Sequence, residues 1–353
     1  MTSTGVGMTS SLRLVHARGS PSRQLCAAVA SRSSRRAAFY KAESCSKQIS
    51  PFSSTSSSSS SSSLPAHLAV LGAGQMGTGI ALVAARQKVA MKVHVLDAFS
   101  DSLEKSKKFA EKWCSKEVEK SRLTEAEKEE LLSEVLVFPQ EGADYSAVGN
   151  CDFVIEAVSE NLDLKHKLYK TLVTEFKLPA SAVLASNTSS ISITKLAAGV
   201  PENPERFVGM HFMNPVPVMP LVEIIRGLQT SDETHKRTLE MVSLMKKDPA
   251  TSQDRPGFIA NRVLMPYINE ACFCLQEKIA TREDIDKILK LGTNVPMGPL
   301  TLADFIGLDT CLAIMRVLHQ ELGDSKYRPS PLLVNYVEAG YLGKKSGRGF
   351  YDY

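Results

Sequence analysis

Residues 67–97, HLAVLGAGQMGTGIALVAARQKVAMKVHVLD, decide how this chain folds. HLAVL is a short apolar run that ends in a glycine-rich turn, GAGQMG, from Gly72 to Gly77. Ile80, Ala81 and Ala84 then recur at helical spacing, and KVHVL opens a second apolar run that ends at Asp97. Strand, tight turn, helix, strand is the pattern of a parallel β-α-β unit. Its glycines have separate tasks. Gly72 permits the sharp turn, Gly74 lets backbone approach a pyrophosphate, and Gly77 lets the helix pack on the strand. The pyrophosphate would then meet the open amides of the helix N-terminus. Asp97 lies 20 residues beyond Gly77, where a carboxylate accepts hydrogen bonds from an adenosine ribose. It would repel a 2′-phosphate, and no Arg follows it directly. The expected cofactor is therefore NAD rather than NADP.

Upstream of this unit the composition changes. Residues 1–63 hold eight Lys or Arg against one acid, Glu43, and end in an unbroken serine run from Ser56 to Ser63. Basic, Ser-rich and acid-poor is the composition of a mitochondrial or plastid transit peptide; the expected location is the mitochondrial matrix, with a plastid as the alternative. The whole chain carries +4, but residues 1–63 carry +7, leaving about −3 on the other 290 residues. The net basicity is thus an address, and nucleic-acid binding is not expected. Cys114, Cys151, Cys272, Cys274 and Cys311 fit neither a disulfide framework nor a zinc site, and they read as reduced, buried thiols. No metal-ligand cluster is visible. Leu64 to Ala85 is uncharged for 22 residues, yet four glycines, His67, Gln75 and Thr78 make it a poor membrane span.

Downstream, residues 102–133 read as a charged helical excursion, and EVLVF (134–138), DFVIEAV (152–158) and SAVLAS (181–186) as further parallel strands. Ligands of open α/β sheets bind beyond the carboxyl ends of the strands. That rule makes Glu160 and Lys165, after the DFVIEAV strand, candidate cofactor contacts, and it brings Asn187 to Ser190 to the same rim. RFVGMHF (206–212) and LVEII (221–225) read as buried strands, each carrying one titratable group, His211 and Glu223, where a packed strand would prefer Val or Ile. A buried imidazole beside a buried carboxylate can act as a general base, because the carboxylate fixes the tautomer and stabilises the imidazolium.

Pro249 and Pro256 bracket a domain boundary. Beyond it, GFIANRVLMPYINEACFCL, REDIDKILKLG and LTLADFIGLDTCLAIMRVLHQEL read as helices with broad apolar faces, which other helices or another subunit must cover. Asn261 lies close to this boundary, where a cleft would form. The last residues, GYLGKKSGRGFYDY, show no helical pattern. The expected organisation is a leader over 1–63, an α/β doubly wound, Rossmann-like NAD-binding half over 64–253, and an all-helical half over 254–353.

Taken together, GAGQMG, Asp97, SENLDLK, SNTSS, GMHFMNPVP, LVEII, PGFIANR and GKKSGRGFY resemble the short-chain L-3-hydroxyacyl-CoA dehydrogenase family, which includes the 3-hydroxybutyryl-CoA dehydrogenases. The resemblance covers nearly all of residues 66–353. It implies NAD-linked interconversion of L-3-hydroxyacyl-CoA and 3-ketoacyl-CoA in fatty-acid metabolism, and a homodimer formed through the helical half. It implies His211 as general base with Glu223 as its partner, and Ser189 and Asn261 as groups that hydrogen-bond the substrate. Gly72, Ala73, Gly74, Gln75, Met76, Gly77, Asp97, Glu160, Lys165, Ser189, Asn214 and Lys345 fall on the family's cofactor positions, and Lys120 on a coenzyme A position. Trp113 departs from the family's pattern, standing where a small polar residue also meets the coenzyme. About two extra residues around Gln87–Lys92 should lengthen one loop without moving the site. A relative acting on a free hydroxy acid, of the L-gulonate 3-dehydrogenase kind, could share the His–Glu pair without needing a coenzyme A site. A catalytically silent NAD-binding protein of crystallin type would have no use for that pair.

Overall fold

A computed structural model describes residues 65–353. The expected leader over 1–63 lies outside the described residues. The chain forms β1 (His67–Leu71), α1 (Gln75–Arg86), β2 (Lys92–Leu96), α2 (Ser100–Glu119), α3 (Glu125–Glu130), β3 (Leu136–Val137), β4 (Phe153–Glu156), α4 (Leu162–Thr174), β5 (Val183–Ser186), α5 (Ile193–Ala197), β6 (Phe207–Phe212), β7 (Leu221–Arg226), α6 (Asp232–Leu244) and β8 (Asp248–Gln253). Five helices follow: α7 (Ala260–Gln276), α8 (Arg282–Gly292), α9 (Pro299–Ile306), α10 (Leu308–Leu322) and α11 (Pro331–Glu338).

The strands form one sheet in the order β3-β2-β1-β4-β5-β6-β7-β8, parallel from β3 to β6. β7 then runs antiparallel to β6, and β8 parallel to β7. The order from β3 to β6 is that of the classic dinucleotide-binding sheet, with its switch point between β1 and β4. Helices cover both faces, so the central strands are buried on both sides and read as unbroken apolar runs. One apolar core packs α1 and α2 on one face, and a second packs α4 and α5 on the other. At Gly72 the backbone takes φ +99°, and a Cβ there would lie 2.6 Å from the Ala157 carbonyl oxygen. At Gly77 a Cβ would lie 1.8 Å from the Gly72 oxygen. Both positions are therefore closed to any other residue.

Three elements differ from the sequence pattern. The edge strand β3 is two residues long, not five, because the chain leaves α3 through a π-helical turn, Leu131–Val135, before it extends. β8 is a whole strand that the pattern misses. Its sequence, DPATSQ, is polar and exposed except for Ser252, and an edge strand tolerates Pro249 because one side of its ladder is unpaired. The long run LTLADFIGLDTCLAIMRVLHQEL breaks at Gly307 (φ +104°) into α9 and α10. The described part of the uncharged run, from Pro65 on, holds β1 followed by α1, and no described helix is long and apolar enough to cross a membrane.

The five helices enclose their own core around Met265, Cys272, Leu300, Leu312, Met315 and Leu318. Two buried acids pin the non-helical C-terminal stretch to it. Asp304 accepts from the amides of Phe350 and Tyr351, each at 2.9 Å, and Asp286 accepts from the Tyr351 hydroxyl at 3.0 Å.

Candidate active site

The carboxyl ends of β1, β4 and β5 and the β6–β7 pair open onto one rim. At β1 the first turn of α1 has no side-chain cap and no acid, so its amides are open to an anion. Gly74 is exposed, and a Cβ built on it would meet nothing within 4 Å. This is room for a pyrophosphate, flanked by backbone that only glycines permit. Asp97 follows β2 directly. Its Oδ2 accepts from the Ala73 amide at 2.7 Å and its Oδ1 from the Phe99 amide at 2.9 Å, so the carboxylate is fixed beside the glycine turn. No cation pairs with it among the described residues. On the far side of the turn, the Gln75 amide donates to Asn214 Oδ1 at 3.2 Å, which joins Asn214 to the same rim. These groups fit a dinucleotide with a free ribose 2′-hydroxyl.

Next to them, Glu160 organises the SNTSS loop. Its Oε1 accepts from the hydroxyls of Thr188 (2.6 Å) and Ser190 (3.0 Å), and from the amides of Ser189 (2.9 Å) and Ser190 (3.0 Å). Partial burial would raise the Glu160 carboxyl, but the nearby Lys165 charge and these donors outweigh it and hold it below the ordinary glutamate value.

Lys165 itself does not face the rim. It is fully buried, and its Nζ donates to both oxygens of Glu156, at 2.7 and 2.9 Å, while lying 3.3 Å from Glu160 Oε2. As placed, it reaches a ligand only through Glu160. Glu156, at the end of β4, also accepts from the Tyr169 hydroxyl, the Ser186 hydroxyl and the Val158 amide. Glu156 is not among the residues that the sequence motifs single out. The signal was present: an acid inside the apolar run DFVIEAV, of the kind that marked His211 and Glu223.

His211 and Glu223 are register partners across β6 and β7. His211 Nδ1 donates to Glu223 Oε2 at 3.1 Å, which leaves Nε2 as the nitrogen free to act as base. Both side chains are largely buried. Glu223 Oε1 accepts from the amides of Ile259, at 2.6 Å, and Ala260, at 3.3 Å, at the start of α7. Burial alone would raise the Glu223 carboxyl, but the hydrogen bonds from His211, Ile259 and Ala260 lower it below the ordinary value. The pair therefore presents a committed carboxylate to an oriented imidazole. In the same turn of α7, Asn261 donates to the Ser189 carbonyl at 3.0 Å. Asn187, on the same loop, accepts from the Phe212 amide at 2.8 Å, next to His211.

Two further positions named from sequence make no hydrogen bond to these groups. Lys345, in a 3-10 turn near the C-terminus, is ion-paired with Asp309 of α10 at 2.6 Å. Lys120 caps the C-terminus of α2 beside Glu117, the acid that also pairs with Arg86, and Arg86 lies over the Trp113 ring at 5.6 Å. Lys120 and Trp113 thus share one basic cluster on the helical excursion. Among the described residues, no three His, Cys, Asp or Glu side chains converge as a metal site requires.

The fold and the glycine turn define an NAD-binding protein of the doubly wound α/β class. Residues 67–255 match the model of the 3-hydroxyacyl-CoA dehydrogenase NAD-binding domain, and residues 257–353 that of the 3-hydroxyacyl-CoA dehydrogenase C-terminal domain. The chain is 50% identical over 284 residues to a probable 3-hydroxybutyryl-CoA dehydrogenase of Bacillus subtilis, covering 80% of this chain and 96% of that protein. It is 41% identical over 292 residues to the mitochondrial hydroxyacyl-coenzyme A dehydrogenase of Mus musculus, covering 81% and 91%. The crystal structure of (S)-3-hydroxybutyryl-CoA dehydrogenase from Ralstonia eutropha aligns with a TM-score of 0.76 at 45% identity, covering 82% of this chain and 99% of that one. The chain belongs to the 3-hydroxyacyl-CoA dehydrogenase family of NAD-dependent oxidoreductases.

Proposed function

We propose that this enzyme interconverts L-3-hydroxyacyl-CoA of the 3-hydroxybutyryl class and 3-ketoacyl-CoA, with His211 as general base. The observation that carries the reading is the His211–Glu223 pair, a buried imidazole whose Nδ1 is committed to a carboxylate. Oxidising a secondary alcohol requires loss of the hydroxyl proton together with the hydride on the same carbon. Bound NAD⁺ supplies the hydride acceptor. His211 Nε2 accepts the proton, and Glu223 stabilises the imidazolium that forms. In reduction the same imidazolium returns the proton to the carbonyl oxygen. Ser189 and Asn261 orient the substrate oxygen: the Asn261 amide holds the Ser189 carbonyl, and Glu160 holds the Ser189 amide. Positioned proton transfer of this kind is worth about 10²–10⁴ in rate.

Asp97 and the open amides of α1 hold the dinucleotide, while Glu160, Lys165 and Asn214 shape its nicotinamide end. Lys120 and its basic neighbours suit the phosphates of coenzyme A. The helical half, residues 254–353, leaves Val263 66% and Leu291 70% exposed, with Phe305 also partly exposed, a surface suited to pairing two copies. Lys345 takes part from that half. Residues 1–63 act as a mitochondrial address, a reading supported by their composition and by the mouse relative.

NADH oxidation with acetoacetyl-CoA, longer 3-ketoacyl-CoA thioesters and a free 3-keto acid tests the reaction. Turnover of the thioesters alone is expected, and comparable turnover of the free acid would favour a dehydrogenase that needs no coenzyme A site. Gel filtration of the protein tests the dimer, and a fluorescent fusion of residues 1–63 tests the address.

A further inference from the structure

Eight non-glycine residues among those described have positive φ, and seven of them, Lys88, Ser121, Ala143, Lys177, Lys246, Lys278 and Asn294, are exposed. The eighth is Phe258, at φ +49° and only 5% exposed, immediately after Gly257 at φ +75°. A buried aromatic residue in the left-handed region is a backbone outlier that surrounding structure must enforce. Its neighbours show what the outlier accomplishes. The next two amides, Ile259 and Ala260, converge on Glu223 Oε1, and the Asn261 amide reaches Ser189. The Phe258 ring meets the His211 imidazole edge-on, with centroids 6.1 Å apart and planes at 61°. It is also built into the apolar core beneath β5 and α5, which ties the first turn of α7 to the sheet.

We infer that Phe258 is a positioning residue for the dehydrogenase reaction: its left-handed backbone aims the Ile259 and Ala260 amides at Glu223 while its ring holds the His211 imidazole against that carboxylate. This rests on the assignment of His211 as base. The open N–H groups of a helix start need an acceptor, and a carboxylate there is favoured by the helix dipole. Here that acceptor is the partner of the base. Among the described residues, the ionisable side chain paired with Glu223 is His211, and these two amides are its other hydrogen-bond partners. The amides draw on the same delocalised charge that stabilises the imidazolium, so their aim affects both the orientation and the proton affinity of the base.

Phe258→Gly, Phe258→Ala and Phe258→Leu separate this role from packing. Glycine keeps the left-handed backbone without strain, whereas alanine does not. Simple loss of buried area ranks alanine above glycine; positioning reverses that order. Phe258→Gly is expected to keep kcat within about tenfold of wild type and Phe258→Ala to fall about tenfold further, with NADH affinity by fluorescence titration unchanged in both. In Phe258→Ala the amides retreat from Glu223, its charge grips the imidazolium more firmly, and the acidic limb of kcat/KM for alcohol oxidation moves to higher pH. In Phe258→Gly the limb stays where it is. Equal activities, or alanine above glycine, would overturn the inference. If either truncation fails to fold, Phe258→Leu decides: a reduced kcat with unchanged NADH affinity supports the role, and a wild-type kcat and pH profile refutes it. His211→Gln run alongside keeps the two claims apart, since full activity in that variant removes the base assignment whatever Phe258 does.

Discussion

His211 and Glu223 sit directly opposite one another on β6 and β7, the point at which the sheet changes from parallel to antiparallel, with Nδ1 and Oε2 3.1 Å apart. Opposed residues of an antiparallel pair point to the same face. Strand register alone therefore brings the imidazole and the carboxylate together, and a slip of one residue would send them to opposite faces. The His211–Glu223 contact is thus set by the sheet itself.

This arrangement predicts a strongly coupled pair. His211→Gln should bind NADH as wild type does and lose kcat by about a hundredfold or more, because proton transfer is gone while the glycine turn is intact. Glu223→Gln removes the charge that stabilises the imidazolium, so the rate falls and the acidic limb of kcat/KM for alcohol oxidation moves to lower pH. The double variant should be little worse than His211→Gln, since the carboxylate works through the imidazole. Steady-state kinetics of all three across pH check this, and additive losses would place Glu223 in some other role.

The proposed role of Asp97 makes a prediction about cofactor choice. Its carboxylate is anchored by the Ala73 and Phe99 amides and has no cation paired with it among the described residues, so a 2′-phosphate would meet an unshielded negative charge. Asp97→Ser combined with Ala98→Arg should raise kcat/KM for NADPH relative to NADH by at least about tenfold. A wild-type enzyme that uses both cofactors equally would contradict the ribose assignment.

Most of the sheet and the rim were legible in the sequence because buried parallel strands are unbroken apolar runs, and because a titratable residue inside such a run stands out. That logic found His211 and Glu223. The same logic extends to Glu156, an acid inside the apolar run DFVIEAV. The missing strand β8 has the opposite cause: an exposed edge strand buries almost nothing, so DPATSQ carries no period to detect. The place of Lys165 was illegible for a third reason. Its position in the first turn of α4 is that of a surface lysine, and only the fold reveals an acid buried beneath it.

That buried pair makes a stability prediction. Glu156 and Lys165 are both fully buried, and removing Lys165 leaves the Glu156 carboxylate with hydrogen-bond donors but no paired cation. Lys165→Met should destabilise the protein by about 3–5 kcal/mol, read from urea unfolding. Adding Glu156→Gln to Lys165→Met should recover much of that loss, because the second exchange removes the stranded charge. A double variant less stable than Lys165→Met would show that Glu156 is held mainly by Tyr169 and Ser186.

Glu160 makes the acid-side prediction. Its carboxyl is held below the ordinary value of 4.5, so the folded state binds its proton more weakly than the unfolded chain does. The stabilisation is therefore fully present above the unfolded value and disappears as pH falls through the lower folded one. Glu160→Gln cannot carry that charge, and its amide would turn a donor toward either Lys165 or the Ser189–Ser190 amides. Its Tm should lie below that of wild type at neutral pH, with the gap closing as both are taken down to about pH 3. Because the same carboxylate fixes the loop that holds Ser189, the variant should also show a raised KM for 3-hydroxyacyl-CoA at neutral pH. A Tm gap that stays constant across this range would mean that Glu160 acts through its shape and not through its charge.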